Sequence, residues 1–162
     1  MKSFFFILAG SAFAIASAHA ASSDQSFVTK AGQAGAAEVA VGRLATSLGS
    51  TDAIKSFGQH MVDDHTQAGE AVKAAAVSSG ANVPTEPSSA QKSTADALAK
   101  LDGKAFDKKF AAVMVKDHEE AVSLFDKEAK TGKDPELKAF AAKTLPTLQN
   151  HLKMAKALPA QN

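Results

Sequence analysis

Apolar positions recur every three or four residues from about Ser26 to Leu158, and alanine fills many of the places between them. This is helical spacing, since strands alternate with a period of two. The pattern breaks at clusters of turn-forming residues, which divide the chain into four long helices and one short one. The first is expected from about Ser26 to Leu48, stopped by Gly49-Ser50-Thr51-Asp52. The second runs from about Asp52 to Ser79, with Thr51 or Asp52 as its N-cap, and Gly80-Ala81-Asn82-Val83-Pro84 ends it. A short helix follows over about Ser89 to Leu101, ended by Asp102-Gly103. The third long helix covers about Gly103 to Lys130, and the next turn is Thr131-Gly132-Lys133-Asp134-Pro135. There Asp134 is the expected N-cap and Pro135 the first helical residue. The fourth long helix runs from about Pro135 to Leu158, with Pro146 expected to kink it or perturb one turn.

These helices read as two hairpins joined by a long link that carries the short helix and can cross the length of a bundle. The predicted fold is therefore all-α, a ferritin-like four-helix bundle with one long crossover.

Each long helix has an apolar stripe, and each stripe is interrupted by one ionisable residue. Glu38 lies among Phe27, Ala31, Ala34, Val41, Ala45 and Leu48, and His65 among Ile54, Phe57, Met61, Ala68 and Val72. His118 lies among Phe106, Phe110, Met114, Ala121 and Phe125, and His151 among Leu137, Ala141, Thr144, Leu148, Ala155 and Leu158. Within each hairpin the two interrupting residues lie at similar distances from the joining turn. At a helical rise of about 1.5 Å per residue they fall near one level.

One reading of Glu38, His65, His118 and His151 is an interior metal site, whose mixed donors suit Zn, Cu, Mn or Fe. The other is a buried Glu–His hydrogen-bond network that sets helix register without an ion. Asp64 and Asp117 immediately precede His65 and His118 and point roughly 100° away around their helices. That makes them candidates to support the histidines from outside the stripe. His60 and Asp64, at i,i+4, form an alternative pair at the surface. Met61 and Met114 are read as core filling. No catalytic residue is assigned: no Gly-x-Ser-x-Gly elbow occurs, and without cysteine there is no thiol chemistry, thiolate ligand or disulfide.

The first twenty residues have a different character. Lys2 precedes an apolar run from Phe4 to about Ile15, and Ala18-His19-Ala20 is a small-x-small cleavage site. The run is too short for a comfortable permanent span. Residues 1–20 are thus expected to be a cleavable export signal, with residues 21–162 forming one exported domain in the periplasm. Losing Lys2 from the 18 Lys and Arg residues leaves 17, against 17 Asp and Glu. A balanced chain without a basic block is a poor nucleic-acid binder. The absence of Trp and Tyr argues against a surface for stacking sugars or bases.

The combined motifs Phe57-Gly-Gln-His-Met-Val-Asp-Asp-His65, Gly103-Lys-Ala-Phe-Asp107, Met114-Val-Lys-Asp-His118-Glu and Leu145-Pro-x-Leu-x-x-His151-Leu resemble the bacterial domain of unknown function 4142. The resemblance spans nearly all of Ser26 to Leu158. It implies a ferritin-like bundle and an exported location, under the label of outer-membrane or periplasmic protein, and no established reaction. The Glu-x-x-His pairs of di-iron carboxylate bundles are absent. The leading expectation is a periplasmic, non-enzymatic bundle serving metal binding or envelope stress tolerance. The alternatives are a redox or hydrolytic metalloenzyme using the Glu/His group, and a module that presents a helix face to an envelope protein partner.

Overall fold

The computed structural model describes residues 13–159, with side chains from residue 24 onward. Most of the expected export signal, residues 1–12, lies outside the described residues. The regular elements are the helices α1 (Phe13–Leu48), α2 (Asp52–Ala75), α3 (Ser89–Leu98), α4 (Gly103–Thr131) and α5 (Pro135–Lys156). No described helix is long and apolar enough to cross a membrane.

Several ends differ from expectation. Among the described residues helix α1 reaches back to Phe13, past the expected start near Ser26. The Ala- and Ser-rich stretch between them contains no Pro or Gly, so nothing local stops the helix. Helix α2 ends at Ala75 and the chain then turns as far as Gly80, whose φ of 65° suits only glycine well. Helix α5 continues through Pro146 to Lys156.

Side-chain caps explain three of the starts. Thr51 accepts from the Ile54 N–H at the head of α2, and Asp134 accepts from the Glu136 and Leu137 N–H groups at the head of α5. Ser88 and Gln91 form a reciprocal capping box on α3. Each such cap contributes about 1 kcal/mol.

Helices α1 and α2 pack as one hairpin and α4 and α5 as another, with α1 against α4 and α2 against α5. Two polar contacts show how the hairpins are joined. The Ser50 N–H, in the α1–α2 turn, donates to Asp107 Oδ1 in the first turns of α4 at 2.9 Å, and the Ser50 hydroxyl donates to the other oxygen. At the opposite end the Ser78 hydroxyl, just past α2, donates to Asp134 in the α4–α5 turn at 3.0 Å. The link over residues 76–102 therefore runs from one end of the bundle to the other.

The core consists of two apolar clusters. One, around Ile54, Phe57, Met61, Phe106, Phe110 and Met114, lies toward the α1–α2 turn. The other, around Phe27, Val72, Phe125, Leu137 and Leu148, lies toward the α4–α5 turn. Every long helix passes from one cluster to the other at its interrupting residue, so Glu38, His65, His118 and His151 fall at the boundary.

Helices α1 and α2 approach closely where Gly42 faces Gly58. A Cβ on Gly58 would lie 2.6 Å from Ala45 Cβ and 2.7 Å from the Gly42 carbonyl oxygen. Gly58→Val should force the helices apart and lower stability by about 1–3 kcal/mol, the usual cost of overpacking. Urea melts of the two proteins would check this, and an unchanged midpoint would contradict the close approach.

Candidate metal centre

His65 on α2, His118 on α4 and His151 on α5 meet between the two clusters. Each offers one ring nitrogen within 4.8 Å of the other two. The residues are 8%, 0% and 1% exposed. Their ring centroids lie 5.7 Å (His65–His118), 5.4 Å (His65–His151) and 5.3 Å (His118–His151) apart.

The hydrogen-bond partners determine which nitrogens carry protons. His118 Nδ1 lies 2.9 Å from the Met114 carbonyl oxygen one turn earlier. A carbonyl only accepts, so Nδ1 is the protonated nitrogen and Nε2 holds the lone pair. His151 Nε2 donates to Asp64 Oδ2 at 2.9 Å, which leaves Nδ1 with the lone pair. Those two lone-pair nitrogens, and Nε2 of His65, are buried without a hydrogen-bond partner. Buried polar atoms normally have one. Each of the three histidines thus has an unsatisfied ring nitrogen, which a cation could satisfy.

The electrostatics favour the neutral, ligand-ready form. Burial pushes His65 down to about 3, helped by the neighbouring His118, His151 and His60. Burial takes His118 to about 4 against the opposing pull of the Met114 carbonyl. It lowers His151 as well, and Asp64 works in the other direction. An ion at about 2.1 Å from each of three nitrogens in tetrahedral geometry holds them about 3.4 Å apart. The nitrogens lie up to 4.8 Å apart and would have to draw together by up to about 1.4 Å to reach that.

Glu38 is 4% exposed but does not join the convergent atoms. Its Oε1 lies 3.7 Å from His118 Nδ1, the nitrogen already committed to Met114, and its Oε2 has no partner. Burial, then the charge of Asp117, raises the Glu38 carboxyl well above the usual range. The carboxyl thus lies beside the back of His118, and burial disfavours its charged form.

Asp64 reaches across to His151 on α5 rather than to its chain neighbour His65. Its Oδ2 also lies 3.3 Å from His60 Nε2. His60, Asp64 and His151 form a second group with ligand atoms within 4.8 Å, nearer the surface, so His151 belongs to both. Asp117 makes no hydrogen bond to a histidine among the described residues. It sits 3.8 Å from Lys116 and acts on Glu38 through its charge.

A carboxylate on the far nitrogen of a ligand histidine fixes the ring and strengthens its lone pair. Asp64→Asn should therefore weaken ion binding by about 10–100-fold without changing the number of ions bound. Isothermal titration would show it, and equal affinity would remove Asp64 from this role.

A chain of 14% identity has the same architecture. The crystal structure of a DUF305 fragment from Deinococcus radiodurans superposes with a TM-score of 0.71, covering 83% of this chain and 93% of that one. At that identity the likeness concerns the fold alone. No curated protein matches the chain. The model of the family described as "Domain of unknown function (DUF4142)" matches residues 10–158, nearly the whole bundle, and the chain belongs to that family.

Proposed function

We propose that this is an exported helical-bundle protein that holds one divalent transition-metal ion through His65, His118 and His151. The observation that carries this reading is the meeting of three buried histidines that bring ring nitrogens within 4.8 Å of one another, each with one ring nitrogen left without a hydrogen-bond partner. Donors of this type favour zinc, copper, nickel and iron over manganese, which prefers carboxylate and water. Glu38 stands outside the ligand set.

Lys2, the apolar run and Ala18-His19-Ala20 support export to the periplasm with cleavage after Ala20. The end-to-end crossover between two long-helix hairpins supports a ferritin-like arrangement. The balanced surface charge gives a nucleic-acid partner no support.

Untagged protein stripped with a chelator and titrated separately with zinc, copper(II) and manganese(II) tests the reading. One equivalent each of zinc and copper should bind, and manganese far more weakly. Binding of none, or preference for manganese, would refute it.

A further inference from the structure

We propose that the bundle takes a second, non-protein ligand, a small organic anion with an apolar body. It would occupy the cavity between α1, α2 and the crossover and place its charged head on the bound ion. This rests on the metal reading above and extends it to what completes the coordination.

The cavity measures about 360 Å³, within the roughly 300–1,000 Å³ typical of small-molecule pockets. Its apolar wall includes Val72, Phe125, Phe140 and Leu148. Glu38 and His65 also line it. They are 4% and 8% exposed, and Glu38 Oε2 and His65 Nε2 have no partner. Arg43 and Lys73 contribute cationic groups. Lys73 is paired with Glu70 at 2.8 Å, while Arg43 forms no ion pair among the described residues.

Two glycines supply an independent observation. Gly35 and Gly69 lie inside long helices, where glycine costs about 1 kcal/mol relative to alanine. Close packing explains Gly42 and Gly58 but neither of these. A Cβ on Gly69 would meet nothing within 4 Å, and one on Gly35 would meet only the His65 carbonyl oxygen at 4.0 Å. Both line the cavity. The space that their missing side chains leave is part of it.

Of the three convergent histidines, His65 is the one that lines the cavity. Three protein ligands leave a fourth position on a tetrahedral ion, and the cavity is the route to it. Three neutral imidazoles bring no charge to a divalent ion and Asp64 reaches it only through His151, so an anionic head is favoured over a neutral one. The Val72–Phe125–Phe140–Leu148 wall selects for an apolar body behind it.

The full exported chain, loaded with cobalt(II), reports anion binding through its visible ligand-field bands. Titration with acetate, butyrate and hexanoate should show affinity rising about tenfold for each pair of methylenes added. Gly69→Leu occupies the part of the cavity beside Gly69, where the apolar body would lie, and should leave cobalt uptake unchanged and acetate affinity nearly so while weakening hexanoate at least about tenfold. Gly69→Ala, which carries no risk to the fold, should give a smaller loss in the same direction. Equal affinity for acetate and hexanoate, or hexanoate binding indifferent to both substitutions, would overturn the proposal.

Failure to take up cobalt defeats the metal reading instead. The Gly35 and Gly69 amide resonances of the metal-free protein then judge the cavity. Shifts with hexanoate in wild type that vanish in Gly69→Leu support occupancy, and unmoved resonances refute it.

Discussion

Zinc at a free concentration a hundredfold above its dissociation constant is expected to stabilise the bundle by about 2.7 kcal/mol, and His118→Gln to remove that gain. An ion held by the three histidines would tie α2, α4 and α5 together, and so both hairpins, at the one level where neither apolar cluster fills the core. Unfolding separates the three ligands, so the ion binds the native state in preference and its binding energy appears as stability. His118 is the most informative position because it is 0% exposed and its two nitrogens have separate duties. One is held by the Met114 carbonyl and the other is unpartnered. Glutamine keeps much of the volume and an amide donor for Met114, but loses the imidazole lone pair. Metal-free stability should therefore fall by only about 1–3 kcal/mol. Urea unfolding of both proteins, with zinc and with chelator, separates the two effects. A full zinc gain in His118→Gln would show that the ion binds elsewhere.

Much of this centre was legible because helices are periodic. A stripe that recurs every three or four residues places His65 and His118 inward whatever the surrounding detail, and the joining turns set their level. The caps at Thr51 and Asp134 were legible for the same local reason, since their side chains bond to N–H groups two or three residues ahead. What escaped depends on distances between helices. The spacing makes Asp64 a candidate to support the histidines from outside the stripe but does not say which one, and its carboxylate spans to His151. Nothing along α2 specifies where α5 lies at that angle. Glu38 shares the level of the histidines, and the packing of α1 against α4 sets its carboxyl 3.7 Å from His118 Nδ1, a placement that spacing along α1 does not specify.

The glycines show the same limit. Gly32-Gln33-Ala34-Gly35 reads as a stretch permitting close packing. At Gly32 that holds, because a Cβ would lie 2.7 Å from the Pro84 carbonyl oxygen, whereas at Gly35 there is open space. Composition cannot separate a glycine that admits a neighbour from one that leaves a hole. The buried Asp107, which ties α4 to Ser50 across the crossover, likewise had no periodic signature.

Metal-free stability is expected to peak near pH 6–7 and fall steeply on the acid side. His65, held to about 3, and His118, held to about 4, stay neutral in the fold far below the ordinary histidine range, and His151 is lowered too. Once the pH drops below about 6.5 the unfolded chain binds protons that the folded chain refuses. Their contribution is present in full above that value and is lost as the pH falls toward the folded values. Each histidine adds a slope of about 1.4 kcal/mol per pH unit within its window. Glu38 has the opposite sign. Its carboxyl is raised in the fold, so above about pH 4.5 the unfolded chain releases a proton that the folded chain keeps, and stability declines as the pH rises. Three histidines outweigh the wide Glu38 window and the lesser upward shifts of Asp117 and Glu128 below about pH 6. Above it the histidine contribution levels off, and the Glu38 decline lasts until the pH passes its raised folded value. Chelator-treated wild type should therefore show a dome in urea-derived stability between pH 4 and 8. Glu38→Gln should flatten the alkaline limb and leave the acid limb standing. An acid limb absent in wild type would mean that the histidines accept protons inside the fold, and the neutral, lone-pair-bearing donor set would go with it.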